Sequence, residues 1–169
     1  MDLASFNTAP STEAVAIASV WAAIPAWADA VAAGRPYASV DDAAAAADGA
    51  ARAWTSADLD AALAHHPRIG QKPAGSSAEA DASRSEQAAM ASASDDLTAA
   101  IAEANAAYEE RFGRVFLIRA AGRTPAEMLA EARRRIGNTD EEETTEALLQ
   151  LREIAVLRLR TNLSEEKKE

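Results

Sequence analysis

Cysteine is absent from this sequence of 169 residues, and tryptophan, tyrosine and phenylalanine together make up only 5% of it. Without cysteine the chain can form no disulfide and no thiolate metal site, and it has no cysteine nucleophile. With so few aromatic residues, a core must rest on close contacts between helices more than on bulky side chains. Because alanine, the strongest helix former, is abundant and β-branched residues are scarce, the composition predicts an all-α protein.

Positive charge is also in short supply, because 17 lysine and arginine residues face 27 acidic ones and the net charge is −10. Nucleic-acid binding relies on a basic surface, so no nucleic-acid partner is expected. The chain has two histidines, His65 and His66, and adjacent histidines seldom hold one ion together, so we expect no metal site. The charged runs Asp140–Glu143 and Glu165–Glu169 are typical of a solvated surface.

Long hydrophobic runs are missing too. The nearest candidate, Ala14–Trp27, falls short of the ~18 apolar residues of a membrane span and is interrupted by Pro25. The first residues, MDLASFN, lack the positive charge of a signal peptide, and the last, EEKKE, are not a peroxisomal signal. We therefore expect a cytoplasmic protein without membrane contact.

Start and stop signals predict a bundle of about seven to nine helices. Pro25 should break the first long helix, and Gly34 should end its continuation. Thr124-Pro125-Ala126-Glu127 is a capping box with proline at the first helical position, which is typical of a helix start. Thr139 and Glu142 repeat the pattern before a last helix over roughly Asp140 to Asn162.

The chain shows no internal repeat and no linker, and its length suits one domain. We therefore expect a single domain over residues 1–169, with loose tails at 1–9 and 164–169. Val115–Ile118 is the only plausible extended segment, and it is too short and too isolated to form a sheet.

The stretch His65–Gln87 is rich in glycine, proline and serine, and a loop of this length is usually functional or disordered. Its two ends carry residues suited to proton transfer, His66 and Glu86. Histidine before proline at a helix end is often only a cap or a packing residue. Glu86 likewise completes the capping box Ser83-Arg84-Ser85-Glu86. The pattern alone leaves the structural and the catalytic interpretation open.

The protonation of His66 is open as well, because a helix C-terminus favours the charged imidazole whereas burial disfavours it. His65 is the weaker candidate for proton transfer, because its side chain points elsewhere on the last helical turn. Lys72 is the only lysine before the C-terminal tail, but its polar loop gives no sign of a lowered pKa, so we expect it to be exposed.

Arg158 falls on an apolar stripe of the last helix that also holds Ala147, Leu151 and Ile154. A guanidinium turned toward a core needs an anion, because an unpaired buried charge is costly. The anion could be an internal carboxylate such as Glu86, Glu103 or Glu109, or the side chain could extend to the surface. It could equally be a substrate carboxylate or a ureido oxygen, which a planar guanidinium fits well.

Five motifs, taken together in order and spacing, resemble one family, the 2-oxo-4-hydroxy-4-carboxy-5-ureidoimidazoline (OHCU) decarboxylases of uric acid degradation. The resemblance covers roughly Pro10 to Leu163. The motifs are HPRIG at His66–Gly70, SRSEQ at Ser83–Gln87, N-x-x-Y-x-x-R-F-G at Asn105–Gly113, FLI at Phe116–Ile118 and LRL at Leu157–Leu159.

The resemblance implies an all-helical single domain that acts on OHCU, a small molecule, to give (S)-allantoin without a cofactor. It implies that His66 is the principal acid/base and that Glu86 is the carboxylate working with it. Other residues are implied to contact the substrate. These are Pro67, Ser83 and Gln87 as wall and hydrogen-bonding residues, Arg158 as an anchor, and Phe116, Leu117, Ile118, Arg119 and Ala120 as donors of backbone amides.

Departures from the family pattern are modest. Arg114-Val115 replaces a more apolar, proline-containing pair, and the loop after HPRIG has its own sequence. We expect a monomer or a homodimer. The alternative hypotheses are a helical ligand-binding module that keeps the fold without the chemistry, and a protein-interaction bundle.

Overall fold

The computed structural model describes residues 1–64, 66, 68–70 and 88–165. Over these ranges it contains eight α-helices and one 3₁₀ turn but no strand, which confirms the all-α prediction. The elements are α1 (Leu3–Thr8), α2 (Ser11–Trp21), α3 (Pro25–Ala33), α4 (Val40–Ala51), α5 (Ser56–Leu63), the 3₁₀ turn (Ala88–Ser92), α6 (Asp95–Phe112), α7 (Pro125–Arg135) and α8 (Asp140–Asn162).

The residues group into two compact units, which we describe separately. Unit 1 comprises Met1–Asp58 and Arg152–Glu169, and unit 2 comprises Leu59–Leu151. The single domain over the whole chain stays a prediction. None of the described helices combines the length and the hydrophobicity that crossing a bilayer requires.

Alanine brings the helices of unit 1 close together, as the composition predicts. Four alanines of α4 are buried, and the carbonyl of one of them, Ala47, accepts a hydrogen bond of 2.9 Å from the indole of Trp27 in α3. The indole can reach the backbone because alanine has no side chain beyond its Cβ. The Trp27 ring also meets Trp54 edge-on, with ring centroids 5.7 Å apart.

The prediction of a loose tail at residues 1–9 is wrong, because residues 3–8 form α1. The carboxylate of Asp2 accepts from the backbone N–H of Ser5 and caps the helix, and Leu3 and Phe6 are buried on one side of it. The backbone N–H of Leu3 donates to the carbonyl of Ser164 at 2.9 Å.

The predicted tail at 164–169 is likewise ordered at its start. Ser164 forms an isolated parallel bridge with Asp2, and the carboxylate of Glu165 accepts from the backbone N–H of Val40 at 2.7 Å, at the start of α4. Residues 166–169 lie outside the described ranges. Both ends of the described chain are therefore fixed by contacts within unit 1.

The local signals predicted the helix boundaries well. Pro25 is the first residue of α3, and Gly34 is its C-cap. α8 covers Asp140–Asn162 as predicted. At α7, the hydroxyl of Thr124 accepts from the backbone N–H of Glu127, and the Glu127 carboxylate accepts in return from the N–H of Thr124 at 2.7 Å, which confirms the capping box.

This capping box should make stability depend on pH. The hydrogen bonds from the backbone N–H and then the hydroxyl of Thr124 lower the pKa of Glu127 in the folded protein. A lowered folded pKa adds stability that is present above the unfolded pKa and is lost as the pH falls through the folded value. The loss of unfolding free energy between about pH 5 and about pH 3 should therefore be smaller in Glu127→Gln than in the wild type, measured by urea titration.

The same substitution at Glu110, which is exposed on α6 and caps no helix, serves as the matched control. If Glu110→Gln and Glu127→Gln changed the pH dependence equally, the capping box would not be its source.

In unit 2, α6, α7 and the segment that connects them share a buried hydrophobic cluster. Its members include Ile101, Ala104 and Tyr108 of α6, Met128, Leu129 and Ala132 of α7, and Phe116, Ile118 and Ala120 of the connecting segment. The predicted extended segment Val115–Ile118 forms no β-strand, and the chain from Val115 to Ala120 has no regular secondary structure.

Candidate functional site

His66 follows the end of α5 in unit 2. The helix ends at Leu63, two residues before the predicted stop at His65–His66, and the backbone N–H of His66 donates to the carbonyl of Leu63 at 3.0 Å. The side chain of His66 is half-buried. A proline follows His66 in the sequence, and the residue before proline is disfavoured in the helical region, so the chain turns away here.

Ile69, three residues further on, fixes this segment to α6. Its side chain lies in the buried cluster of unit 2, and its carbonyl accepts a hydrogen bond of 2.9 Å from the side-chain amide of Asn105. Asn105 is only 5% exposed, and its Oδ1 has no hydrogen-bond partner within the described part of the chain. The first residue of the N-x-x-Y-x-x-R-F-G motif therefore holds the HPRIG segment.

Arg68 provides a second attachment to α6. Its Nε donates to Oε1 of Glu109 at 2.5 Å and its Nη2 to Oε2 at 2.7 Å, a two-pronged contact one helical turn beyond Asn105. Both residues line two pockets of unit 2, of about 380 and 280 Å³, so the pair is accessible to solvent. Because such pairs stabilise little, its main effect is to orient the segment that carries His66.

Removing the amide of Asn105 should destabilise the protein. Asn105→Ala leaves the buried carbonyl of Ile69 without its donor, which typically costs ~1–3 kcal/mol. We expect a loss of this size in the unfolding free energy from urea titration. The matched control is Glu109→Gln, which weakens only the solvent-accessible pair and should stay within ~1 kcal/mol of the wild type. Equal losses for the two variants would contradict the role of Asn105.

The segment Phe116–Ala120 is buried except for Arg119, which is partly exposed. The carbonyl of Leu117 accepts a hydrogen bond of 2.8 Å from Arg135, and the backbone N–H of Arg119 donates to Oε1 of Gln150 at 3.0 Å. This amide of the expected substrate-binding set is thus hydrogen-bonded to a side chain of the protein. That the segment contacts a substrate stays a prediction.

Arg158 lies in unit 1 and is buried, with 5% of its surface exposed, as the helical spacing predicts. Burial rules out the alternative in which its side chain extends to the surface. Its Nη1 donates to the carbonyl of Val20 at 3.4 Å. Glu109, one of the internal anions considered, is paired with Arg68. The substrate contact of Arg158 stays a prediction.

The other residues expected at the site lie outside the described residues, and their roles stay predictions. They are Glu86, expected to be catalytic, Pro67, Ser83 and Gln87, expected to bind substrate, His65, the weaker candidate for proton transfer, and Lys72, expected to be exposed.

Unit 2 also contains a buried polar cluster that was not predicted from the sequence. Arg135 and Glu143 are each 1% exposed and form an ion pair, and the hydroxyl of Tyr108 donates to the same carboxylate. Burial, reinforced by the bond to Glu143, raises the pKa of Tyr108 above its usual range. The prediction that Asp140–Glu143 is solvated is therefore wrong for Glu143. One signal was present, since Arg135 continues a stripe formed by Met128 and Ala132.

The family model for OHCU decarboxylase matches residues 7–160, nearly the whole chain. The chain belongs to the OHCU decarboxylase family. This confirms the resemblance noted in the sequence and the enzyme class, the carboxy-lyases, that it implied.

Two solved structures have a similar fold. One is a crystal structure of OHCU decarboxylase in the presence of (S)-allantoin, whose chain is 26% identical in sequence and superposes with a TM-score of 0.72. The match covers 85% of this chain and 94% of that one. A crystal structure of (S)-allantoin synthase, at 20% identity and a TM-score of 0.70, shares the fold. That match covers 96% of this chain and 54% of the other.

A curated relative is the uric acid degradation bifunctional protein TTL of Arabidopsis thaliana. It is 37% identical over 110 residues, which are 63% of this chain and 34% of TTL. The matched part thus spans about a third of that protein.

Proposed function

We propose that this protein decarboxylates OHCU to (S)-allantoin without a cofactor, in the degradation of uric acid. His66 handles the proton, Glu86 orients His66 and the substrate hydroxyl, and Arg158 anchors the anionic ring. The family match over residues 7–160 supports the reaction class.

The observation that carries the proposal is the double attachment of the HPRIG segment to α6. Asn105 and Glu109 hold Ile69 and Arg68 at 2.9 Å and at 2.5 and 2.7 Å, so two family motifs far apart in sequence are in contact. A general acid or base acts efficiently only when its position is fixed relative to the substrate. The anchoring of Arg68 and Ile69, two and three residues after His66, supports such a fixed position.

The chemistry of the substrate explains why a cofactor is unnecessary. When the bond to the carboxylate breaks, CO2 leaves and the bonding electron pair moves into the adjacent ring imine, whose nitrogen takes up a proton. The enol that results becomes a carbonyl as its hydroxyl gives up a proton and the ureido-bearing carbon gains one. The ring is thus its own electron sink, the task for which other decarboxylases use a bound cofactor.

Stereochemistry assigns a task to the protein, because the protonated carbon becomes the stereocentre of allantoin. A proton delivered to one face of the enol gives one enantiomer, whereas solvent protonation gives both. His66 is suited to this delivery because an unperturbed imidazole, with a pKa near 6.5, both accepts and donates a proton at neutral pH. Backbone amides of Phe116–Ala120, other than that of Arg119, which donates to Gln150, would stabilise the negative charge that develops in the ring.

The test is to generate OHCU in situ and to follow the formation of optically active allantoin by circular dichroism. The protein should give the (S)-enantiomer rapidly, whereas the spontaneous reaction without protein gives a slow racemate. Allantoin forming at the spontaneous rate, as a racemate, in the presence of folded protein would refute the proposal. If calorimetry then detected binding of (S)-allantoin, the non-catalytic ligand-binding alternative would be favoured.

A further inference from the structure

Several hydrogen bonds fix the buried ion pair of Arg135 and Glu143. Nε of Arg135 lies 3.1 and 3.2 Å from the two carboxylate oxygens of Glu143, and Nη2 lies 2.5 Å from Oε1. Glu143 also accepts from Tyr108 and, at 2.9 Å, from the amide of Asn138. The bonds to Glu143 use Nε and Nη2, so the third nitrogen of the guanidinium, Nη1, can donate elsewhere.

Nη1 of Arg135 binds the segment that connects α6 and α7. It donates to the carbonyl of Leu117 at 2.8 Å, and the guanidinium carbon lies 4.7 Å from the ring centroid of Phe116, within cation–π range. Arg135 therefore fixes two successive residues of the segment that the proposed function assigns to substrate binding. The ion pair with Glu143 in turn fixes the position of the guanidinium.

The segment belongs to no helix or strand, so no regular hydrogen-bond pattern holds its backbone, although Phe116, Ile118 and Ala120 are packed in the buried cluster of unit 2. Its backbone contacts include the bond from Arg135 to Leu117, the bond from Arg119 to Gln150 and a turn between the carbonyl of Ala120 and the N–H of Arg123. Gln150, like Arg135, is buried. Side chains of α7 and α8 thus supply the constraints that a regular element would provide by itself.

We propose that Arg135 is a positioning residue for the decarboxylation: by holding Leu117 and Phe116, it fixes the amides of Phe116–Ala120, other than that of Arg119, toward the substrate ring. Glu143 supports it by fixing the guanidinium, and Gln150 holds the same segment through the N–H of Arg119. The inference rests on the proposed function, because it needs this segment to face the substrate.

The variant that tests the inference is Arg135→Lys. Lysine keeps a positive charge beside Glu143, so no buried carboxylate is left unpaired. Its single ammonium lacks the planar fork that lets arginine contact Glu143 and Leu117 in different directions. A second variant, Gln150→Leu, removes the acceptor for the N–H of Arg119 and carries no charge change.

Two controls separate positioning from a loss of stability. Arg134→Lys makes the same change at the neighbouring residue, whose guanidinium is half-exposed and pairs with Glu131 and Glu146. Val31→Ala removes buried methyl groups from α3, in the unit that lacks this segment. All variants are compared at one temperature, and rates are expressed per folded molecule, with the folded fraction taken from circular dichroism.

The first measurement is steady-state kinetics with OHCU generated in situ. Displacing preorganised donors slightly can cost ~10²-fold, so we expect kcat/KM of Arg135→Lys to fall ~10–100-fold, with a decrease in kcat as well as an increase in KM. Gln150→Leu should change the same two parameters in the same direction. Arg134→Lys and Val31→Ala should retain both wild-type parameters per folded molecule. Wild-type kinetics for Arg135→Lys would overturn the inference.

The second measurement is amide hydrogen exchange, which does not depend on turnover. Exchange at Leu117–Ala120 should be faster in Arg135→Lys than in the wild type, with exchange in α6 unchanged. Unchanged exchange in the segment would also overturn the inference. A wild type that forms no (S)-allantoin above the spontaneous rate would instead refute the proposed function, and the exchange data would still decide whether Arg135 holds the segment.

Discussion

Replacing His66 with asparagine is expected to abolish enzyme-dependent formation of (S)-allantoin while leaving the helical circular dichroism spectrum unchanged. Asparagine is close to histidine in size and can hydrogen-bond, but it cannot carry a proton at neutral pH. Positioned general acid–base groups typically contribute ~10²–10⁴-fold to a rate, so turnover should fall by at least this range. The turn that ends α5 should be kept, because the bond from the backbone N–H of His66 to the carbonyl of Leu63 does not involve the imidazole.

The neighbouring histidine provides a matched control. His65→Asn makes the same chemical change one residue earlier, and we expect it to keep near-wild-type turnover. The measurement is the initial rate of optically active allantoin formation, corrected for the spontaneous reaction. Near-normal decarboxylation by His66→Asn would refute its catalytic role, and a loss confined to His65→Asn would transfer the role to that residue.

Removing the carboxylate of Glu143 is expected to have the largest effect on stability. Glu143→Ala leaves the guanidinium of Arg135 buried without its counter-ion, and deprives Tyr108 of its acceptor and Asn138 of one of its two acceptors. Breaking a buried pair by deleting one partner typically costs ~3–5 kcal/mol, because the remaining charge is uncompensated. Urea unfolding followed by circular dichroism should show a loss of this size in the unfolding free energy.

Two further variants separate the buried charge from other causes. Glu146→Ala removes a carboxylate from the same helix whose partner, Arg134, is half-exposed, and should cost at most ~1 kcal/mol. The double variant Arg135→Met/Glu143→Gln leaves no unpaired charge and keeps an acceptor for Tyr108, so it should recover much of the stability. A double variant as unstable as Glu143→Ala would contradict this account.

The helix boundaries could be predicted because the signals for them are local. Pro25 begins α3, Gly34 is its C-cap, and the capping box at Thr124 begins α7. Each depends on a few neighbouring residues, so no knowledge of the tertiary structure was needed. Helical spacing likewise placed Arg158 on an apolar stripe, although it left open whether the side chain was buried or extended to the surface.

Features that depend on distant residues were not predictable in this way. Residues 3–8 form a helix whose first N–H bonds to Ser164, and nothing in the first nine residues indicates that partner. Arg135 follows two other arginines at a helix end, where positive charge needs no special explanation. Glu143 sits in an acidic run, which is usually solvated. Only the tertiary structure shows that these two residues are buried together.

The tryptophans of the chain all lie in unit 1, whose helices pack through alanine. Trp21, Trp27 and Trp54 are the only tryptophans of the chain, and all three are buried in that unit. Tryptophan fluorescence therefore reports on unit 1, whereas far-ultraviolet ellipticity sums over the helices of both units. Coincident unfolding midpoints by the two probes would show that the units melt cooperatively. A shift of the fluorescence midpoint in Glu143→Ala would then measure how strongly a substitution in unit 2 changes the stability of unit 1.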